Sequence, residues 1–436
     1  MKRHFILGIM AVAALASCTK NEIIQGEESL KNEAISFSTY VGKSVQTKAT
    51  TIQTDNVANA GIGILAWRTG SDDISETILN DVAPKFMQNI KLTWSKLQDS
   101  ENYVGSYEPE RYWPSNGEKV SFFAYAPQTS GDAEFHPENI ALDATAGGAH
   151  KLTLTVPKNA DDANTGVEYA NHTDFMVARK GNGDMVNDVY TGVAGDVTVG
   201  INQNLNKNHK APVQLQMKHA LSKISFVAKA TEGEKAQNEP YSNGMVKVVF
   251  DNIKVNGSFA NAGTYDLFNE TWTIDANANH EVYNLINAEG TENDPFNPIA
   301  DELYNIQAGE NPADETNTPD ENGWYKLNKS SHDMMVIPFV NNGNDGVANG
   351  TISSISGKYI VKTYESVVNQ ETGETEIVEI EDYRDEVDFN VKTNINLEAG
   401  KAYVFQFNIM LRKIEFSVVV EDWDVQAGTV IVDSNN

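Results

Sequence analysis

The chain has 436 residues, with 61 Asp and Glu against 33 Lys and Arg, for a formal net charge of −28. So acidic a surface repels nucleic acid and anionic lipid headgroups, and neither is expected as a partner. Cys18 is the single cysteine, so no disulfide can form within the chain and stability must come from burial, which this length can supply, as two domains.

Lys2 and Arg3 precede the apolar run Phe5 to Ala16 (FILGIMAVAALA). Twelve residues are too few for a bilayer core of about 30 Å, which needs roughly 20, and they match the h-region of a secretory signal peptide. Leu15-Ala16-Ser17-Cys18 reads as a lipobox. Residues 1–17 are therefore expected to be removed, leaving Cys18 lipidated and the net charge at −30 once Lys2 and Arg3 are gone. Residues 18–33 are polar and charged and read as a flexible tether.

From residue 34 onward, period-2 alternation dominates and predicts strands. Ile35, Phe37, Thr39 and Val41 form the first. Leu152, Leu154 and Val156 share one face, as do Val213, Leu215 and Met217. After Leu221 the apolar positions become even, at Ile224, Phe226 and Ala228. A one-residue slip inverts the buried face, so a bulge or strand switch is expected near Ser222, with a helical turn as the competing reading. Tyr403 to Leu411 and Ile414 to Val420 make a hairpin with its turn near Arg412 and Lys413. Strands with one apolar face predict an all-β protein of two tandem antiparallel β-sandwich domains. The Gly- and Asn-rich stretch 179–212 places the boundary near residue 210, giving domains 34–210 and 211–436. Residues 288–323, acidic and with four prolines, read as a long loop with a short helix near Ala300 to Ile306.

Catalytic and metal motifs are missing from the pattern. There is no HExxH, no G-x-S-x-G, and the lone cysteine is assigned to lipid. His172 near Asp174, and His332 beside Asp333, are spacings that arise by chance among 61 acidic residues. Asn341 to Gly346 resembles a calcium loop but has Ile352 where the closing glutamate belongs. His219 shares the inward face of Met217 and Leu221 and is expected to be buried and bonded to backbone. Tyr103, Tyr107, Tyr112 and Trp113 could form a sugar-stacking platform, but Trp113 before Pro114 is better read as a core residue. No catalysis, cofactor or metal is expected.

Several segments resemble the fimbrillin family, the type V pilus subunits of Bacteroidales. They are Tyr112-Trp113-Pro114, Val120 to Pro127 (VSFFAYAP), Asp174 to Ala178, Val213 to Phe226 with its His-Ala-Leu centre, Leu397 to Phe405, and Val420 to Trp423. The resemblance implies two transthyretin-like sandwiches in a structural subunit exported as an outer-membrane lipoprotein and displayed in a surface fimbrium. It also implies that N-terminal trimming removes a plug strand and that a neighbouring subunit's C-terminal strand fills the groove. Here the plug would be Ile35, Phe37, Thr39 and Val41. The family's arginine at the trimming position is replaced by lysines, Lys43 and Lys48, so that either Lys48 is the trimming site or the chain is not trimmed at all, because the next arginine, Arg68, follows the apolar run from Ile62 to Trp67. Val430 and Val432 are the candidate donor-strand residues, or part of the last strand of their own domain. Partners would be other fimbrial subunits, the outer membrane and a host or bacterial surface ligand. A glycan-binding surface lipoprotein is the alternative.

Overall fold

The computed structural model describes residues 34–41, 52, 56–96, 103–143, 148–156, 172–178, 181–182, 198–199, 201–203, 213–230, 245–278, 280–286, 322, 324–326, 334–341, 346–380, 385–410 and 413–422. The first strands are β1 (Phe37–Val41), β2 (Ile62–Gly70), β3 (Met87–Lys96), β4 (Tyr103–Ser106), β5 (Lys119–Ala126), β6 (Ile140–Leu142), β7 (Lys151–Thr155) and β8 (Met176–Ala178). After the short pair β9 (Gly181–Asn182) and β10 (Thr198–Val199) come β11 (Val213–His219), β12 (Ser222–Ala230), β13 (Met245–Ala260), β14 (Ala262–Asp266), β15 (Thr271–Ile274) and β16 (His280–Ile286). The last are β17 (Tyr325–Lys326), β18 (Met334–Val336), β19 (Thr351–Val368), β20 (Thr375–Glu379), β21 (Asp385–Asn396), β22 (Lys401–Met410) and β23 (Lys413–Asp422). Among the described residues the two α-helices, Val57–Ala60 and Glu76–Asp81, are single turns or little more. The chain is all-β, as its alternation predicts.

Six of the first eight strands, joined by β11, close into a barrel in the order β1-β11-β8-β5-β2-β3-β4, with β4 pairing back onto β1. Its interior holds Ile62, Ile64, Trp94, Phe122, Met176, Val213 and Leu215, all buried. The opposite face of β2 and β5 carries Leu65, Trp67, Phe123 and Tyr125. These lie in a second core with Leu152, Leu154, Tyr265 and Trp272 from a covering sheet, β15-β14-β7-β6. That burial on both faces explains why β5 is apolar at nearly every position rather than alternating. Two further sheets follow, one centred on β12 and β22, the other on β13 and β19. Phe407 of the first and Phe389 of the second meet with ring centroids 5.6 Å apart.

Two pairings depart from the expected antiparallel pattern: β1 with β11 and β12 with β22 are parallel. Alternation specifies which face of a strand is buried, not the direction of its neighbour, so a sequence reading has no access to this. The slip near Ser222 is a strand switch: β11 ends in the barrel at His219, and β12 begins in a different sheet at Ser222. The expected boundary at residue 210 lies outside the described residues. On its C-terminal side, β11 belongs to the barrel, and β14 returns to pair with β7, aligning Tyr265 with Leu152.

Candidate functional site at the barrel seam

Strand β1 closes the ring. Along its whole length, Phe37 to Val41, it pairs in parallel with Val213 to Met217, and at its start Phe37 and Ser38 face Gly105 and Val104 across an antiparallel ladder. Thr39 and Val41 are aligned with Leu215 and Met217. Just upstream, the Val213 amide donates to the Ser36 carbonyl at 2.8 Å. Ile35 and Phe37 are 2% and 1% exposed. The Phe37 ring stands edge-on to Tyr107 at 5.5 Å and to Phe122 at 5.4 Å. Burying two such side chains contributes about 1.5–3 kcal/mol each.

The entry to β1 is held by the loop after β4. The Ile35 amide donates to the Arg111 carbonyl at 2.8 Å, and the Tyr107 hydroxyl donates to the Ile35 carbonyl at 2.8 Å. Burial pushes the Tyr107 phenol up from its ordinary value, so it remains a donor across the neutral range. The Arg111 guanidinium in turn donates from Nε to the Phe86 carbonyl at 3.0 Å, which fixes the loop to the segment before β3. Neither Tyr107 nor Arg111 lies in a family motif: Arg111 was missed in the sequence, and Tyr107 was weighed there only as part of a sugar-stacking platform. The proximity of Tyr107 to the Tyr-Trp-Pro segment is the one hint.

On the far side of the seam lies a buried polar chain. Asp174 accepts the Ile52 amide on Oδ2 at 2.6 Å and meets His219 Nδ1 through Oδ1 at 2.6 Å. Asp174, His219 and Ile52 are 1%, 2% and 0% exposed. His219 is thus buried as expected, but its Nδ1 partner is a carboxylate rather than the backbone. His172, the sequence neighbour of Asp174, accepts the Met335 amide on Nδ1 at 3.1 Å. Trp113 is a core residue, 4% exposed, with its ring 5.9 Å from Phe122, whereas Tyr112 is 47% exposed. Cys18, Lys48, Val430 and Val432 lie outside the described residues, as do His332, Asp333 and most of the Asn341–Gly346 loop. Among the described residues no group of three or more His, Cys, Asp or Glu side chains is placed to hold a metal ion, and no helix is long and apolar enough to cross a membrane.

Residues 47–423, which begin after β1, match the fimbrillin-like family model. The chain belongs to the fimbrillin-like family. A relative, the fimbrium subunit Fim1C of Phocaeicola vulgatus, is 29% identical over 279 residues, covering 62% of this chain and 62% of the relative's length. The crystal structure of a fimbrial protein from Bacteroides vulgatus shares the fold, with a TM-score of 0.54 at 19% identity over 90% of this chain and 100% of that one.

Proposed function

We propose that this chain is a non-catalytic structural subunit of a cell-surface fimbria, exported as a lipoprotein acylated at Cys18 and assembled with other fimbrial subunits by strand exchange at the β1 slot. The observation that carries the reading is the position of β1, which is inserted between β4 and β11 and is the first described strand of the chain. Its withdrawal would open the ring, leave backbone groups on β4 and β11 unpaired, and uncover the pocket of Ile35 and Phe37. An unpaired, apolar sheet edge is a template for another strand. A strand added there restores the ladder, and its alternating side chains set register. A final placement at the outer-membrane surface completes the proposal.

The test is trimming of the purified protein after Lys48, followed by sedimentation and electron microscopy. Trimmed protein should form filaments, and Val430→Asp with Val432→Asp should block them without unfolding the monomer. Trimmed wild-type protein that stays monomeric at high concentration defeats the polymer reading. Loss of palmitate labelling in Cys18→Ala tests the anchor separately.

A further inference from the structure

We propose that the buried Asp174–His219 pair is a positioning device that keeps Ile52 in the barrel while β1 leaves, and so sets the downstream limit of the exchanged segment. The inference rests on the strand-release reading above. His219 ends β11, two residues beyond Met217, the last partner of β1. Asp174 lies just before β8, which pairs with β11 through Met176 and His219. His219 on β11 and Asp174 at the entry to β8 therefore both sit on parts of the barrel that stay when β1 goes. Through one carboxylate oxygen they hold the main chain at Ile52, eleven residues after Val41.

The two ends of the departing segment are held unequally. Upstream, Ile35 is fixed by neutral groups, the Arg111 carbonyl and the Tyr107 hydroxyl. Downstream, Ile52 donates to a carboxylate, and hydrogen bonds to a charged acceptor are shorter and roughly twice as strong. Retention of Ile52 also matters for refilling. Its side chain, fully buried, shares the core of Phe37 and Ile35. If Ile52 left with β1, the opened groove would be deeper than one strand could fill, and a replacement would leave a cavity.

The test is amide hydrogen exchange on the full-length protein with β1 displaced, either by Phe37→Asp or by trimming. Amides of β11 that face β1 should lose protection, while the Ile52 amide should stay slow. In the same background, Asp174→Asn should speed exchange at Ile52 tenfold or more and leave the amides of Leu65 and Phe123 unchanged. His219→Gln, which removes the imidazole but keeps the carboxylate, should give a smaller effect at the same amide. The proposal is overturned if Ile52 exchanges freely once β1 is displaced and Asp174 is intact. That comparison needs no change at the pair, so it decides the matter even if Asp174→Asn does not fold. Filaments with an unprotected Ile52 would sink the anchor alone. A protected Ile52 in trimmed protein that never polymerises would sink strand exchange alone.

Discussion

The hydroxyl of Tyr107 donates to the carbonyl of Ile35 across 72 positions of sequence, at 2.8 Å, and the same ring lies edge-on against Phe37 two residues further along. One side chain thus grips the seam strand by both backbone and side chain. Tyr107→Phe keeps the ring contact and deletes only the bond. It should cost about 0.5–1.5 kcal/mol, the net worth of a typical hydrogen bond. Amide exchange at Phe37 should quicken while that at Leu65 does not. Equal exchange at both positions in the two proteins would show that the hydroxyl does not restrain β1.

Phe37→Ala removes a ring that is 1% exposed and packed between Tyr107 and Phe122. A cavity there would cost about 3–5 kcal/mol. Undocking of β1 offers the barrel a cheaper escape, so the measured loss in urea unfolding should be no larger than that caused by removing β1 altogether. A loss larger than that caused by removing β1 would show that the strand stays docked around the cavity.

Gly63 sits opposite Tyr125 on the neighbouring strand. A Cβ at Gly63 would stand 2.5 Å from Tyr125 Cε1 and 2.9 Å from Asn89 Oδ1. The ring cannot retreat, because Tyr125 is fully buried and its hydroxyl donates to Asn89 Oδ1 at 2.8 Å. Gly63→Ala should therefore destabilise the barrel by about 1–3 kcal/mol through overpacking. A thermal midpoint equal to or above that of the parent would contradict this.

Asp266 gives the acid limb of stability a recognisable component. Burial pushes its carboxyl up, but the His150 imidazole, with Nε2 at 3.7 Å, and the amides of Asn269 and Phe268 hold it down to about 2, against an ordinary 3.8. A depressed folded-state value means that the contribution is present above about pH 4 and is lost as pH falls toward 2. The stability difference between the parent and Asp266→Asn, measured by urea titration at several pH values, should be widest above pH 4 and shrink toward pH 2. A difference that is flat across that interval would rule out the ionised carboxylate as its source.

What was legible in the sequence is what alternation encodes. Leu152 and Leu154 point into the core from β7, as do Val213, Leu215, Met217 and His219 from β11, and the slip at Ser222 marks the strand's passage between sheets. Partner choice was not legible. Nothing local tells Leu152 that it will face Tyr265, or that β1 will run parallel to β11. The same limit hid the polar core. Asp174 invites pairing with His172 two residues away, yet its carboxylate reaches His219, 45 positions distant, because β8 and β11 are neighbours in the barrel. The aromatic cluster was half legible. Trp113 before a proline read correctly as core, whereas the grip of Tyr107 on Ile35 depends on a loop path that no spacing reveals.

The flanking ladders of β1 also give the seam a mechanical character. A pull along the strand axis, the direction in which a chain end would be tugged, loads the bonds to β11 and β4 simultaneously rather than peeling them one by one. Shear of this kind fails only when the ladder yields as a block, so resistance grows with ladder length. Phe37, standing crosswise between the rings of Tyr107 and Phe122, adds a peg that must be dragged past both before the strand can slide by one register. Any strand lodged in this slot with a bulky ring at that position would inherit the same resistance to traction.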